Sequence, residues 1–222
     1  MVIRDLNGEP NDLMVFQQND GDIQATIRRN TETAAPRSKH LRDTLKKKPF
    51  MKNDNLPPII DVCCGGKMFY FDKDDPRVLF QDIRSFKDKD IYKGRTFSVE
   101  PDVVGDFTSM PYPDESFNMV VFDPPHIKYN PKAEKKGWQV EKYGWLPHGK
   151  WKEIISKGFA ECFRILKPGG FLVFKWNETN IKVSEILKLT DQKPVFGHKS
   201  GKAAMTHWIC FMKDINSKNY KL

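Results

Sequence analysis

The tetrapeptide Asp123-Pro124-Pro125-His126 combines residue types that can hold an amine for chemistry. An amine conjugated to a ring shares its lone pair with that ring, so it attacks well only when acceptors take both of its hydrogens. The Asp123 carboxylate and the Pro124 carbonyl are two such acceptors, and the prolines stiffen the loop. His126 can stack on a planar group and donate a hydrogen bond. The alternative is a purely structural role as a rigid turn, which Asp and Pro also favour.

Three other acid or glycine clusters follow apolar runs. Asp61 ends the first run and precedes the Gly65-Gly66 turn, where the backbone can approach a ligand closely. Asp82 ends the second run, where its carboxylate can accept hydrogen bonds from both hydroxyls of a ribose. Asp106 follows the third run. A glycine turn and an acid at this spacing predict a ligand that contains adenosine.

Apolar runs separated by polar or amphipathic stretches predict the elements that position these clusters. We expect a helix after Gly66, an amphipathic helix over residues 150–166 and another at about 180–189. The predicted strands cover residues 59–64, 77–82, 103–104, 117–122, 171–176, 194–196 and 207–212. The sequence therefore predicts an α/β fold: a Rossmann-like, mostly parallel sheet of about seven strands with helices on both faces, plus a small N-terminal extension.

The length of 222 residues fits one catalytic domain with an appendage. We assign residues 1–56 to an N-terminal extension and basic linker, and residues 57–222 to the catalytic domain. The pattern around Asp20-Gly21 predicts a hairpin within residues 1–27. The basic stretch 28–52 is either a solvated linker or an arm that contacts phosphates.

A formal net charge of +8 favours a polyanionic partner without identifying one. The four cysteines include no Cys-x-x-Cys pair, so we expect reduced thiols and no metal site. No apolar run approaches the roughly 20 residues that span a bilayer, and the first residues lack the apolar core of a signal peptide. We therefore expect a cytoplasmic protein.

Taken in order, the clusters resemble the class I S-adenosylmethionine-dependent methyltransferases over roughly residues 57–212. Residues 105–117 and 164–170 also resemble family motifs. The resemblance implies S-adenosylmethionine as the only cofactor. It also implies that the cofactor is bound by Asp61, Cys63, Gly65, Gly66, Asp82, Ile83, Asp106, Phe107 and Asp123. One departure is Lys67, which stands where the family's Gly-x-Gly turn has its last glycine. A dehydrogenase is disfavoured, because the Gly-x-Gly-x-x-Gly sequence is missing.

The tetrapeptide resembles the Asp/Asn/Ser-Pro-Pro-aromatic motif of methyltransferases that act on exocyclic base amines or on glutamine side chains. The size and motif order resemble solitary DNA adenine-N6 methyltransferases of bacteria and phages. The resemblance implies a catalytic role for Asp123, Pro124, Pro125 and His126. Lysines and aromatics are interleaved over residues 127–152, which suits either a flipped base with its flanking phosphates or an amphipathic insertion whose aromatics pack on the domain. The predicted substrate-binding residues are Lys128, Tyr129, Lys175, Trp176, Asn177 and His198, although Trp176 and His198 fit core and loop positions equally well.

The sequence leaves the substrate open. Our main hypothesis is methyl transfer to adenine N6 in DNA, but the motif does not distinguish DNA from RNA or adenine N6 from cytosine N4. A small-molecule or protein methyltransferase is a further alternative, because residues 106–117 also resemble those enzymes. A non-catalytic nucleic-acid-binding module is the least favoured, because Asp61, Asp82 and Asp123 are all intact.

Overall fold

The computed structural model describes residues 56–132, 137–200 and 205–215 in full and the backbone of 14–19 and 22–27. Strands β1 (Met14–Asn19) and β2 (Asp22–Ile27) pair antiparallel. Asn19 pairs with Asp22, so two residues connect the strands, and the predicted hairpin around Asp20-Gly21 is confirmed. The basic stretch 28–52 lies outside the described residues, and the boundary between extension and domain stays a prediction.

A seven-stranded sheet forms the centre of the domain. In spatial order it contains β12, β13, β11, β8, β3, β4 and β7. Strand β13 is antiparallel to both of its neighbours, and the other pairs are parallel. The bounds are β3 Ile59–Asp61, β4 Val78–Asp82, β7 Val103–Val104, β8 Phe117–Phe122, β11 Leu166–Asn177, β12 Phe196–Ser200 and β13 Thr206–Met212. The chain thus has the mostly parallel, Rossmann-like fold predicted from its sequence.

One face of the sheet packs against helix α2 (Trp151–Ile165), which confirms the helix predicted over 150–166. Phe159 on α2 contacts the rings of Phe122 and Phe174 at centroid distances of 5.6 and 4.9 Å. Gly158 allows this close approach, since a Cβ there would lie 2.7 Å from Phe122. The helix predicted at about 180–189 is shorter: α3 spans Val183–Ile186, and a 3₁₀ turn follows over Leu187–Leu189.

The opposite face is covered in part by turns rather than by a helix. In place of the helix expected after Gly66, residues 62–77 contain only turns and bends. The ring of Tyr70 packs edge-on against Phe80 with centroids 4.8 Å apart, and Phe69 packs against Trp208 at 5.3 Å. Aromatic side chains therefore cover this face of the sheet, which the apolar side of a helix would otherwise cover.

Two insertions stand above the carboxyl edge of the sheet. The chain between β4 and β7 forms a hairpin of β5 (Phe86–Tyr92) and β6 (Arg95–Val99). After β8 come β9 (Lys128–Tyr129), helix α1 (Trp138–Tyr143) and β10 (Leu146–Pro147), with β9 and β10 paired parallel. Lys89 on the hairpin and Glu141 on α1 form a 2.9 Å ion pair that joins the two insertions. No helix in the described part of the chain is long and apolar enough to cross a membrane.

Candidate active site

The sheet order reverses at β3, which has β4 on one side and β8 on the other. Open α/β sheets bind ligands outside the carboxyl ends of the strands at such a switch point. The predicted cofactor cluster follows β3, β4 and β7, and the tetrapeptide follows β8 directly. The two halves of the predicted site therefore meet at the position that the fold favours for a ligand.

Asp61 is fully buried at the end of β3 and anchors the chain that follows it. Its two carboxyl oxygens accept hydrogen bonds from the Cys63 backbone N–H at 3.1 Å and from the Tyr70 hydroxyl at 3.0 Å. The pKa of Asp61 is raised to about 8, mainly by burial; the two hydrogen bonds oppose this rise, and the nearby acids Asp123 and Asp82 add to it. Because its oxygens are already engaged, Asp61 shapes the glycine turn rather than presenting a free carboxylate.

The turn after Asp61 is tight and contacts its neighbours closely. Gly65 has a φ of +50°, and its N–H donates to Asp82 Oδ2 at 2.9 Å. A Cβ on Gly66 would lie 2.6 Å from the ring of Phe97, so any other residue there would require the Phe97 ring to move. Lys67 also has a positive φ of 54°. This lysine therefore adopts the left-handed backbone that favours glycine, at the position where the family's turn has one.

The Lys67 side chain explains how a lysine is held in that conformation. Its ammonium group lies 3.9 Å from the ring centroid of Phe80 and donates to the Lys73 carbonyl at 2.9 Å. Only 3% of the residue is exposed. The cation–π contact and the hydrogen bond offset the cost of the left-handed backbone, so the turn forms without its last glycine.

Asp82, the predicted ribose acceptor, is buried and already has donors on both oxygens. Oδ1 accepts from the Arg84 backbone N–H at 2.9 Å and from Arg84 Nε at 3.1 Å. Oδ2 accepts from the Gly65 N–H and from the second terminal nitrogen of Arg84 at 3.3 Å. Arg84 also reaches the carbonyls of Glu141 and Lys142 at 3.4 and 3.2 Å. The guanidinium group occupies the acceptor atoms that two ribose hydroxyls would need.

The other predicted cofactor residues surround Asp82. Ile83 is 55% exposed and offers an apolar surface next to it. Asp106 is exposed, and its carboxylate accepts hydrogen bonds from the Thr108 N–H and hydroxyl at 2.8 and 2.9 Å. Phe107 is instead buried, with its ring 5.2 Å from that of Phe122. A ligand can therefore reach Ile83 and the backbone near Asp106, but not the face of the Phe107 ring.

Asp123 follows the end of β8, next to the end of β11. Its Oδ2 accepts a hydrogen bond from Lys175 Nζ at 2.5 Å, and a fifth of its side chain is exposed. Its Oδ1 makes no hydrogen bond to any described residue. Burial raises the pKa of Asp123, while the Lys175 ammonium group opposes that shift. Lys175 lies 5.4 Å from the ring centroid of Phe69, so the apolar surroundings fix its direction.

The rest of the tetrapeptide is held by the insertion that contains α1. Gly144 ends α1 with a φ of +76°, and a Cβ there would lie 3.1 Å from Pro125. The ring centroid of His126 lies 5.9 Å from Tyr143 and 6.3 Å from Trp176. Burial, helped by the Lys175 charge, lowers the pKa of His126 to about 4. His126 is therefore neutral at physiological pH and sits in an aromatic setting.

The structure separates the predicted substrate-binding residues. Trp176 is wholly buried, and its indole N–H donates to the Ile181 carbonyl at 2.9 Å. It therefore packs against His126 and has no surface left for a substrate. Asn177 is used locally, since its side-chain oxygen accepts from the Thr179 N–H and hydroxyl. His198 lies on the edge strand β12, three strands from β8 or roughly 14 Å away. These three predictions of direct contact are not supported, whereas Lys175 does reach the tetrapeptide.

The remaining two predicted residues lie on β9. The Lys128 N–H donates to the Asn180 side chain at 3.0 Å. Tyr129 is buried with its ring 5.3 Å from Trp145, so it packs within the insertion. Lys128 is partly exposed, so its contact with a substrate stays a prediction, whereas Tyr129 packs inside the segment that carries both residues.

Sequence reasoning missed Arg84, Tyr70 and the β5–β6 hairpin. The hairpin has a recognisable signal, because Lys93-Gly94 is a turn flanked by strand-forming residues on both sides. The only sequence signal for Arg84 is its position two residues after an acid at the end of a strand. Nothing in the sequence indicates that the Tyr70 hydroxyl returns to Asp61.

Comparison with known proteins found no matching family model and no matching curated protein. Among solved structures, the chain is similar to an S-adenosylmethionine-dependent methyltransferase from Methanosarcina mazei (13% identity, TM-score 0.46), covering 75% of this chain and 96% of that one. It is also similar to the Burkholderia thailandensis 1,6-didemethyltoxoflavin-N1-methyltransferase with bound S-adenosylhomocysteine (12% identity, TM-score 0.42), covering 90% and 99%. At these values neither likeness identifies the reaction of this chain.

Proposed function

We propose that this protein transfers a methyl group from S-adenosylmethionine to an exocyclic amine of a nucleic-acid base, with adenine N6 in DNA as the preferred target. The observation that carries the proposal is the Asp123-Pro124 pair at the switch point. Asp123 Oδ1 and the Pro124 carbonyl accept no hydrogen bond from the described residues; Asp123 is partly exposed, and Pro124 is buried beside it. Two adjacent acceptors at the ligand-binding edge are what an amine with two hydrogens requires.

The residues after β3 and β4 fit the cofactor. The Arg84 guanidinium group places two donors on the Asp82 carboxylate, which is the pattern that the two hydroxyls of a ribose would form in its place. Exposed Ile83 offers an apolar surface to an adenine ring, and the Gly65-Gly66 turn brings the backbone next to Asp82. When bound, the cofactor supplies an electrophilic methyl group on a sulfonium.

The chain's own groups then orient the acceptor. Asp123 Oδ1 and the Pro124 carbonyl take the two amine hydrogens and allow the nitrogen to become pyramidal, which directs its lone pair to the methyl carbon. Methyl transfer would form an N–C bond and break the S–CH₃ bond of the cofactor, releasing S-adenosylhomocysteine. The methylated nitrogen would be acidic, and the Asp123 carboxylate would accept its proton. Lys175 favours the ionised form of Asp123 against burial, and neutral His126 packs beside the substrate ring.

The proposed substrate class rests on charge and on surface aromatics. The net charge of +8 favours a polyanion, and Lys142 and Trp138 lie on α1 close to the tetrapeptide. A base amine inside a duplex is out of reach of a buried site, so the enzyme must flip the base or act on a single strand. RNA bases contain the same amines, so RNA is tested alongside DNA.

The test incubates the protein with methyl-labelled S-adenosylmethionine and, separately, duplex DNA, single-stranded DNA, RNA and a protein-metabolite extract. The nucleic acids are digested to nucleosides and analysed by mass spectrometry, which reports substrate class and target atom together. We expect labelled N6-methyladenine from DNA. The same product from RNA alone would move the substrate to RNA, and label confined to proteins or metabolites would refute the nucleic-acid proposal.

A further inference from the structure

A cleft of about 300 Å³ lies between the β5–β6 hairpin and α1, outside the group of residues that the proposed reaction uses. Tyr92 and Phe97 line it from the hairpin, and Trp138 lines it from α1. Its volume is at the low end for small-molecule sites, so it suits one base with its sugar rather than a whole dinucleotide or cofactor. Residues far apart in sequence form it, which is why no local motif indicates it.

The aromatic side chains of the cleft remain exposed. Tyr92 is 43% and Trp138 is 40% exposed, and their ring centroids are 6.5 Å apart. Both residues line the same open cleft, so part of each ring surface stays accessible to a ligand. Neighbouring accessible rings form a platform on which another planar group can stack.

The cleft is also basic. Arg95 and Lys142 line it, and the Lys142 ammonium group lies 5.5 Å from the ring centroid of Phe97. The nearby acids are engaged elsewhere, because Glu141 pairs with Lys89 and the Asp90 carboxylate accepts from the backbone N–H groups of the β5–β6 turn. Arg95 and Lys142 form no ion pair with a described residue, and cations beside exposed rings match a ligand that has both a π-face and a phosphate.

The position of the cleft relates it to the tetrapeptide. Tyr143, at the end of α1, contacts His126, and Gly144 contacts Pro125. Trp138 lies five residues earlier on the same helix, about 7.5 Å along its axis. A ligand group in the cleft is therefore separate from the acceptor amine proposed at Asp123, but it is close enough to belong to the same nucleic-acid strand.

We propose that this cleft binds an unpaired nucleotide that flanks the methylated one, with its base stacked on Trp138 and Tyr92 and its phosphate held by Lys142 and Arg95. The proposal rests on the proposed function, since it places a second nucleotide of the same substrate strand. It gives the hairpin a role in holding the strand while the target base enters the site.

Two measurements test this assignment. In the first, single-stranded DNA containing 5-iodouracil is cross-linked to the full-length protein with ultraviolet light, and the modified peptides are identified by mass spectrometry. In the second, fluorescence anisotropy measures the affinity of labelled single-stranded DNA in the presence of S-adenosylhomocysteine. The variants are Trp138→Ala, Tyr92→Ala and, as a conservative rescue, Trp138→Phe. Phe71→Ala is the matched control, because Phe71 is a fully exposed aromatic outside the cleft.

We expect cross-links at Trp138 or Tyr92 and an affinity loss of about fivefold or more in each alanine variant, with Trp138→Phe and Phe71→Ala close to the parent. Calorimetry should show unchanged S-adenosylhomocysteine affinity in all four. If the parent methylates DNA but the alanine variants bind it normally, the cleft assignment is wrong and the proposed function stands. If they lose cofactor affinity instead, the cleft holds the cofactor's adenosine. A parent that binds no polynucleotide would refute both proposals.

Discussion

Two carboxylates at the same sheet edge, Asp82 and Asp123, each pair with a cation, yet their surroundings differ. Asp82 is 2% exposed and has hydrogen-bond donors on both oxygens, from Arg84 and from the glycine turn. Asp123 is a fifth exposed and has one partner on one oxygen. Asp82 must exchange a partner before it can bind a ligand, whereas Asp123 can accept one directly. A ligand of Asp82 must therefore displace an existing hydrogen-bond donor, whereas a ligand of Asp123 can use an oxygen that has no described partner.

The largest effect should come from Asp123→Ala. Methyl transfer should fall by about 10²- to 10⁴-fold, because both the amine acceptor and the proton acceptor are lost. Binding of S-adenosylhomocysteine, measured by calorimetry, should change far less. Asp191→Ala, at an exposed aspartate, is the control and should retain full turnover. Equal turnover in the Asp123 variant would reduce the tetrapeptide to a structural turn.

The next largest effect distinguishes the role of Asp82 in cofactor binding from that of its partner Arg84. Asp82→Ala should weaken S-adenosylhomocysteine binding by about 10- to 150-fold, the cost of a lost charge-assisted acceptor. Arg84→Ala should keep or improve that affinity, because it frees the acceptor atoms on Asp82. Calorimetry on both variants makes the comparison.

Asp75 and Arg77 form an exposed pair at the same sequence spacing, with Nη2 and Oδ2 2.6 Å apart. Asp75→Ala is therefore a matched control, for which we expect unchanged cofactor affinity. An Arg84→Ala variant that loses as much affinity as Asp82→Ala would mean that the arginine itself holds the cofactor.

The smallest effect concerns the pH dependence of the reaction. Lys175 opposes the rise in the pKa of Asp123, so Lys175→Met should raise that pKa further. The acid limb of the pH–rate profile should then move to higher pH, with the rate recovering as the pH is raised above the new limb. Lys128→Met removes a lysine that does not contact Asp123, so its acid limb should stay in place. An unshifted limb in the Lys175 variant would show that Asp123 ionisation does not limit the rate.

The strand ends could be predicted from sequence because apolar runs stop at charged or turn-forming residues. Strand β8 has the predicted bounds, and its last residue directly precedes Asp123. The burial of Trp176, in contrast to its neighbour Lys175, follows from a pattern that the sequence contains. Successive residues of a strand point to opposite faces, so Lys175 and Trp176 cannot both line one site.

Other features depend on the three-dimensional path of the chain. The helix expected after Gly66 does not form, because residues 62–77 instead fold their aromatic side chains onto the sheet. The Tyr70–Asp61 hydrogen bond and the Arg84 contacts with α1 each join segments whose proximity only the tertiary fold determines. Hydrophobic patterning indicates which residues are buried but does not indicate which polar partner each buried acid acquires.

The Arg84 side chain contacts both Asp82 and two carbonyls in the last turn of α1, so it links the predicted ribose site to the helix beside the tetrapeptide. A ribose that displaces the guanidinium group from Asp82 also removes or rearranges two contacts of the helix beside the tetrapeptide. Occupancy of one pocket then changes the free energy of ligand binding at the other, and thermodynamic linkage makes this coupling equal in both directions. Such a displacement would make ribose binding at Asp82 and ligand binding beside the tetrapeptide parts of one cooperative equilibrium.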